Sequence, residues 1–440
     1  MKTLLRNFDI ITTSKSPLID GGSLLIEDGI IREVTDRPPS EWNGFADGVD
    51  EIVEGNGRLL LPGFVNAHTH LGMTIFRGYA EDLQLDEWLE EWIWPAEEKL
   101  TPEEVYWGSL LAVIESIKSG VTTVADMYFY MDEAARAIEV SGIRGLISYG
   151  VIADGLDAHG QSEVEAAVRL IDDWDGAAQG RIGVALSPHA PYTCGDDVWR
   201  KIAAVAEDKC VPIHTHLAET RGEVDGSFDD YGISPVERLE NLGVMKNDVM
   251  AAHCIYVDDK DVGILADHDV FCLHNPTSNT KLASGIAPVE RLQQAGIQIG
   301  IATDGAASNN DLDMIEEIRL AALLSKVSGG DPENLPVRKV YSMATGEDVS
   351  RFGLEKGGAI SEDMNADLIA IDRSAPHWTP EYDSLSNLVY SAKSGDVDLV
   401  MVAGKVLMDG GEIKTVDEQE VLNKVKEIAR KYNTIRKGKE

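Results

Sequence analysis

A (β/α)₈ barrel, an α/β fold, with a small β-sandwich built from both chain ends is the fold that the sequence predicts. Short apolar stretches alternate with helical periodicity through the middle of the chain, and β-rich segments with turn signals recur at both ends. Eight strand–helix units fit a closed barrel better than an open, doubly wound sheet. The predicted barrel strands are residues 59–67, 121–127, 144–152, 182–187, 211–216, 249–254, 270–273 and 297–303.

The two chain ends show the same sequence pattern, short apolar stretches separated by turn residues. Residues 23–26 and 30–34 flank Glu27-Asp28-Gly29, an Asp-Gly signal typical of a β-hairpin. Residues 366–371, 399–402 and 406–408 repeat the short apolar pattern, and a charged helix is expected over about 416–432. We therefore expect residues 1–57 and 365–440 to form the two parts of the sandwich, with the terminal helix, and residues 58–364 to form the barrel.

Composition excludes several classes of function. The 440 residues carry a formal net charge of -37, and so negative a field repels nucleic acid and anionic membranes. The four cysteines show no CxxC spacing, the N-terminus lacks a secretory signal, and no apolar run is long enough to span a bilayer. No glycine-rich phosphate-binding motif follows a strand. We expect a cytoplasmic protein with no nucleic-acid or membrane partner.

The histidines are concentrated where a barrel carries its chemistry. Asp304 follows the eighth predicted strand, and seven of the ten histidines fall at or just after the C-terminal end of a strand. In a barrel these ends share one face, which carries the active site. The seven are His68, His70, His189, His214, His216, His253 and His274.

Two His-x-His pairs end the first and fifth strands. Residues i and i+2 of a strand point the same way, so both histidines of the pair 68/70 can bind one ion. In the second pair, strand geometry leaves open whether His214 or His216 is the ligand; the other would lie one layer deeper. Asp304 adds a carboxylate, with a helix N-cap as its alternative role. Three histidines and one aspartate suit one Zn²⁺ or Fe²⁺, with a position left for water.

Five short motifs carry a resemblance to a known family. They are His68-Thr69-His70, His216-Leu217-Ala218-Glu219-Thr220, Ala252-His253-Cys254, His274-Asn275-Pro276 and Thr303-Asp304-Gly305-Ala306. Together they resemble the amidohydrolase superfamily over nearly the whole chain. Residues 73–78, 88, 95–97, 187–192 and 304–310 look most like the deaminases that act on S-adenosylhomocysteine, methylthioadenosine and 5′-deoxyadenosine.

The resemblance implies a ligand set and three catalytic residues, Glu219, His253 and Asp304, the last of which is also a ligand. One divalent ion per chain, Zn²⁺ before Fe²⁺, would be held by His68, His70, His216 and Asp304. Glu219 would contact the substrate and shuttle the proton, and His253 would steady the attacking water and the developing charge. No lysine ends the third or fourth strand, so a binuclear centre bridged by a carbamylated lysine is not expected.

The resemblance also implies substrate contacts. His189 would meet the purine, Glu97 the ribose hydroxyls and Trp88 the 5′ side, with Ser308 and Arg144 as further contacts. Arg144 matches an arginine that can meet a substrate carboxylate in homocysteine-handling relatives, although a structural ion pair is its alternative. Residues 154–160 hold no second arginine, which favours uncharged 5′ substituents.

Hydrolytic deamination of an adenine nucleoside to its inosine analogue is the implied reaction. The alternative enzyme function is deamination or dechlorination of guanine, cytosine or an s-triazine. The alternative outside enzymes is a barrel protein with no catalytic activity. Completeness of the site disfavours the latter. The tryptophans of residues 75–100 predict a homo-oligomer, because apolar patches often mark interfaces; covering the barrel mouth is their competing role.

Overall fold

The computed structural model describes residues 1–37, 47–347, 349 and 351–438. Its strands are β1 (Lys2–Ile10), β2 (Ile19–Glu27), β3 (Ile30–Thr35), β4 (Glu51–Glu54), β5 (Leu59–Pro62), β6 (Phe64–Thr69), β7 (Val121–Tyr128), β8 (Arg144–Val151), β9 (Ile182–Pro188), β10 (Ile213–Leu217), β11 (Val249–His253), β12 (Phe271–His274), β13 (Ile299–Ile301), β14 (Leu368–Ile371), β15 (Val397–Val402), β16 (Lys405–Asp409) and β17 (Glu412–Ile413).

Helices fill most of the connections. They are α1 (Leu85–Glu87), α2 (Trp94–Glu97), α3 (Pro102–Lys118), α4 (Met131–Ser141), α5 (Ala158–Trp174), α6 (Ala177–Gly180), α7 (Asp196–Lys209), α8 (Arg221–Tyr231), α9 (Pro235–Asn241), α10 (Asp259–Asp267), α11 (Pro276–Lys281), α12 (Val289–Gln294), α13 (Met314–Gly329), α14 (Val337–Thr345), α15 (Ser384–Tyr390) and α16 (Glu418–Lys437). A π-helical turn, Trp88–Ile93, joins α1 to α2.

The eight strands from β6 to β13 form a parallel sheet in chain order. Its two edges meet: the Asp304 amide donates to the His68 carbonyl oxygen at 3.0 Å, and the Thr303 amide donates to Asn66 Oδ1 at 3.0 Å. The strands are buried because helices cover the outside and side chains fill the inside. The predicted (β/α)₈ barrel is confirmed.

A separate nine-stranded sheet joins the chain ends. Its order is β17-β16-β15-β14-β5-β1-β2-β3, with β4 paired to β1. Side chains from both ends, among them Leu5, Leu24, Leu368 and Leu399, share one apolar core. The predicted hairpin joins β2 to β3 through Asp28 and Gly29, whose φ angles of 51° and 81° suit a primed turn.

The prediction of residues 59–67 as a single barrel strand is wrong. It divides at Gly63: β5 pairs with β14 and β1 in the terminal sheet, whereas β6 pairs with β7 in the barrel. A Cβ on Gly63 would lie 2.2 Å from Thr122 side-chain atoms, so the chain passes between the sheets where only glycine fits. Since β5 and β6 are both buried, the sequence is apolar on both sides of Gly63, and its pattern does not indicate the turn. The predicted domain limits stay a prediction, with β5 lying past the limit at 57.

The terminal helix α16 is longer than expected. Its N-cap Asp417 accepts from the Glu420 amide, and the helix continues to Lys437. It packs on α3, where Lys431 and Tyr432 bond to the buried carboxylate of Glu104. Among the described residues, no helix combines the length and apolar character needed to cross a membrane.

Arg144 links the barrel to the terminal sheet. As the first residue of β8 it lies at the opposite end of the strand from the predicted active face. Its guanidinium donates to both oxygens of Asp367 at 2.5 and 3.2 Å, and Asp367 also accepts from the Ala403 amide at 2.7 Å. The structure therefore contradicts the predicted substrate contact of Arg144 and supports its alternative, a structural ion pair.

Breaking this pair should destabilise the protein without touching the site. Asp367→Ala leaves the mostly buried Arg144 charge without its partner, and we expect a loss of about 3 kcal/mol in the free energy of unfolding, measured in urea. Arg144→Met should cost stability too and leave kcat/KM unchanged. An Arg144→Met protein of normal stability with impaired binding of a carboxylate-bearing substrate would contradict the assignment.

Candidate active site

The candidate site lies where the barrel strands end. His68 belongs to β6, with His70 one residue past it; His216 lies in β10, His253 ends β11, and Asp304 follows β13. All five side chains are buried or nearly so. Because parallel strands bring their carboxyl ends to one face, residues up to 236 positions apart converge here.

Each of three imidazoles is oriented through its Nδ1 atom. His70 Nδ1 donates to the Met127 carbonyl oxygen at 2.5 Å, and His216 Nδ1 donates to that of His189 at 2.8 Å. His68 Nδ1 is hydrogen-bonded to His214 Nε2 at 2.8 Å. The Nε2 atoms are therefore left to face one another.

The facing atoms form a compact ligand cluster. The candidate ligand atoms of His68, His70 and His216 lie within 4.8 Å of one another. His70 Nε2 is 3.3 Å from His216 Nε2, and Asp304 Oδ1 is 3.1 Å from His70 Nε2 and 3.5 Å from His68 Nε2. The structure thus places His216 in the cluster and His214 one layer deeper, behind His68.

This donor set fits a divalent cation. A donating Nδ1 leaves Nε2 with a lone pair, the arrangement that metal-binding histidines adopt. Burial lowers the pKa of His68 to about 4 and that of His216 well below its usual value, so both rings are neutral at pH 7. For His70 the effect of burial is outweighed by Asp304, which raises the pKa to about 9, so a bound cation would have to displace that proton. His68 Nε2 is buried without a hydrogen-bond partner, as expected of an atom reserved for an ion.

Asp304 is held toward the histidines and does not cap a long helix. Its Oδ2 lies 2.6 Å from Ser278 Oγ and 2.7 Å from Ser308 Oγ. Burial alone would raise the pKa of Asp304, but the adjacent His68 and His70 rings hold it well below its usual range. The next long helix, α13, begins ten residues later with Asp313 as its own N-cap.

Glu219 and His253 flank the cluster. Glu219 Oε2 lies 3.6 Å from His253 Nε2, and Glu219 Oε1 accepts from Ser284 Oγ at 3.2 Å. Burial raises the pKa of Glu219. His253 Nδ1 donates to Asn279 Oδ1 at 2.7 Å, which fixes the direction of the ring. A carboxyl group that can hold a proton therefore lies next to the ligand cluster.

One cavity joins the predicted substrate contacts to the cluster. Its lining is largely aromatic and apolar, interrupted by the predicted site residues. Those residues are His70, Trp88, Glu97, His189, His216, Glu219, His253, Asp304 and Ser308. Burial raises the pKa of Glu97 to about 7, and Tyr128 donates to its carboxylate at 2.6 Å. His189 Nδ1 lies 3.1 Å from Thr193 Oγ1, and burial lowers the pKa of His189 to about 3.

A model of the amidohydrolase family matches residues 59–407. The chain belongs to the amidohydrolase family. A 5-methylthioadenosine/S-adenosylhomocysteine deaminase of Syntrophomonas wolfei is 46% identical over 98% of this chain and 99% of its own length. A 5′-deoxyadenosine deaminase of Methanosarcina acetivorans is 44% identical over 93% of each chain. The structure of a zinc-bound adenosine deaminase from Xanthomonas campestris is 32% identical with a TM-score of 0.91, covering 98% of each chain.

The predicted family is therefore confirmed, although several residues of this amidohydrolase site escaped the sequence reasoning. Tyr128 contacts Glu97, Ser278 contacts Asp304, and Asn279 and Ser284 contact the two flanking groups. Serine and asparagine are ordinary loop residues, so only their position after strand β12 could have drawn attention to them.

The insertion of residues 75–100 covers the mouth of the amidohydrolase barrel. Trp88 is buried and lines the cavity, while Trp92 and Trp94 are only partly exposed and pack on the main core. The tryptophans therefore cover the barrel mouth, which was their alternative role. The homo-oligomer was expected because these tryptophans would form an exposed apolar patch, and they do not form one. The homo-oligomer stays a prediction, as does the cytoplasmic location.

Two neighbouring histidines provide a test of the ligand cluster. His216→Asn should abolish binding of one divalent ion per chain, because it removes an Nε2 ligand. His214→Asn removes only the hydrogen bond behind His68 and should weaken metal binding about 10- to 100-fold. Metal content after dialysis and Zn²⁺ titration of the apoprotein measure both effects. Complete loss of metal in both variants would contradict the assignment of His216 as a ligand and of His214 as the residue behind His68.

Proposed function

We propose that this amidohydrolase is a metal-dependent hydrolytic deaminase of adenine nucleosides. It converts 5′-deoxyadenosine, methylthioadenosine, S-adenosylhomocysteine or adenosine to the inosine analogue and ammonia. The observation that carries the proposal is the buried Glu219, which lines one cavity with His253 and with His70, His216 and Asp304 of the ligand cluster. The names of the two deaminases at 46% and 44% identity support the same reaction.

His68, His70, His216 and Asp304 would hold one divalent ion. Three imidazole nitrogens and one carboxylate suit Zn²⁺ best, with Fe²⁺ as the alternative. A divalent ion in such a set supplies Lewis-acid activation of water, lowering its pKa to around 7. The zinc in the Xanthomonas structure supports the first choice.

Glu219 moves the proton. It takes a proton from the attacking water and delivers it to N1 of the adenine ring as the water oxygen bonds to C6. The remaining proton of the added water is then transferred to the C6 amine, which leaves as ammonia when the C–N bond breaks and the C6 carbonyl forms. The raised pKa of Glu219 suits a group that must both accept and donate a proton near neutral pH. His253, fixed by Asn279, faces the same point and steadies the charge that develops there.

The remaining cavity residues position the nucleoside. His189 would meet the purine, Glu97 the ribose hydroxyls, and Trp88 the 5′ side, with Ser308 beside the ligand cluster. With a pKa of about 7, Glu97 can offer a carboxylate oxygen to a hydroxyl group around neutral pH. Aromatic and apolar side chains form much of the wall of this pocket.

Replacement of the shuttle should separate chemistry from metal binding. Glu219→Gln keeps the shape of the side chain but cannot carry the proton, so kcat should fall roughly 10²- to 10⁴-fold. Its metal content should match that of the parent protein, since Glu219 is not in the ligand cluster. A Glu219→Gln enzyme with normal kcat would rule out the proton-shuttle role.

The 5′ substituent should be selected by charge. The residues lining the cavity include no lysine or arginine, and Asp86, Glu90 and Asp154 line the space that adjoins it beside Tyr192. A phosphate buried there without partners costs several kcal/mol, so AMP should bind more than about a hundredfold more weakly than 5′-deoxyadenosine. Turnover of AMP, 5′-deoxyadenosine, methylthioadenosine, S-adenosylhomocysteine and adenosine is measured as loss of adenine absorbance. Guanine and cytosine are assayed alongside them through the absorbance of their own rings. AMP turned over as fast as 5′-deoxyadenosine contradicts this account, and fast guanine or cytosine with idle nucleosides would favour the alternative enzyme function.

Glu97 gives an internal control for the nucleoside assignment. Glu97→Ala should raise KM and lower kcat for 5′-deoxyadenosine, because binding energy from the ribose is used at the reacting ring. The same change should affect free adenine little, since adenine has no ribose to contact. Equal losses for adenine and nucleoside would show that Glu97 does not act through the sugar.

A further inference from the structure

A buried carboxyl group lies beneath the ligand loops. Glu317, on α13, is fully buried, and the mechanism does not use it. Its Oε2 accepts from the Thr277 amide at 3.1 Å, and its Oε1 accepts from Asn309 Nδ2 at 2.6 Å. Thr277 follows strand β12 and Asn309 follows strand β13. One side chain thus bridges two loops that belong to different barrel strands.

The residues next to these two contacts are the hydroxyl donors of Asp304. Ser278 follows Thr277, and Ser308 precedes Asn309; their Oγ atoms lie 2.6 and 2.7 Å from the same oxygen, Asp304 Oδ2. Ser308 Oγ also lies 3.0 Å from the Gly305 carbonyl oxygen, so its one proton has two acceptors in reach. With Oδ2 occupied by the serines, Oδ1 faces the histidines, 3.1 Å from His70 Nε2, and also accepts from the Gly305 amide at 2.8 Å.

Geometry therefore makes the direction of the Asp304 carboxylate depend on the spacing of two loops. Asn309 is itself anchored, since its Nδ2 also donates to the Thr303 carbonyl oxygen at 2.7 Å, one residue before Asp304. A shift of either serine would release one hydroxyl from Oδ2 and loosen the hold on that oxygen, while the Gly305 amide would still hold Oδ1. Partners of this kind orient metal ligands and tune their affinity.

We propose that Glu317 is a positioning residue of the metal centre, which fixes the Ser278 and Ser308 loops against each other and so turns Asp304 Oδ1 toward the histidines. The inference deepens the proposed function and rests on Asp304 acting as a metal ligand. It does not depend on which nucleoside is the substrate.

Metal binding by the apoprotein is the decisive measurement. Glu317→Gln keeps the volume of the side chain but turns an amide nitrogen toward one of its two donors, so one contact must break. We expect the Kd for Zn²⁺ to rise about 10- to 100-fold, and the visible spectrum of the Co²⁺-loaded protein to change. With the metal site saturated, kcat should fall while KM for 5′-deoxyadenosine changes less than about twofold, as expected when transition-state stabilisation alone is lost.

Glu104 provides a matched control. It is another buried glutamate that ties two elements together, bonding to Lys431 and Tyr432 across α3 and α16, away from the cavity. Glu104→Gln should lower the melting temperature but leave Zn²⁺ affinity, the Co²⁺ spectrum and kcat unchanged. If Glu317→Gln behaves in the same way, Glu317 is a structural brace and the proposal is wrong.

A double-mutant cycle tests the route through the serines. If Glu317 acts through Ser278, the losses of Zn²⁺ affinity in Glu317→Gln and Ser278→Ala should not add in the double variant; additive losses would contradict that route. Should Glu317→Gln fail to fold, Asn309→Ala breaks one arm of the same bridge and should weaken Zn²⁺ binding, whereas unchanged binding would overturn the proposal. A parent protein that binds no metal would instead defeat the proposed function itself.

Discussion

The Asp304 amide donates to the His68 carbonyl oxygen at 3.0 Å, where the last barrel strand meets the first. The same contact closes the sheet and brings the aspartate to the first His-x-His pair. Asn66 and Thr303 reinforce it one layer deeper, through the Thr303 amide at 3.0 Å and the hydroxyl at 2.7 Å. Closure of the barrel and assembly of the ligand cluster are therefore one event, and any change that opens this seam would separate the ligands.

Backbone carbonyl oxygens orient two of the histidine ligand candidates. His70 and His216 are fixed by the carbonyl oxygens of Met127 in β7 and of His189, one residue past β9, and the parallel sheet places both oxygens there. A buried ring with one nitrogen committed to a carbonyl has its other nitrogen directed by the fold. The protein thus prepares the site before an ion binds, which lowers the cost of ordering the ligands.

The terminal sheet supports the barrel from the opposite end. β5 leads directly into β6, the strand that carries His68, and its partner β14 follows Asp367, which pairs with Arg144 of β8. Both chain ends therefore contribute to holding two barrel strands, although neither reaches the cavity among the described residues. The site and the ion pair lie at opposite ends of the strands, and function and stability can be altered separately.

Periodicity in the sequence alone predicted the barrel and the paired ends, and the resemblance of its motifs predicted the amidohydrolase family and the candidate ligands, His216 among them, because strand alternation and short motifs are local properties. Strand geometry left His214 and His216 open, and only tertiary structure decided which of them lies deeper, where Arg144 lies and where the chain turns at Gly63. Each of these depends on which strand lies next to which: His216 faces His70, His214 lies behind His68, and Arg144 meets an aspartate 223 residues away. Such proximities come from closure of the barrel and from pairing of the chain ends, which no local pattern of residues encodes.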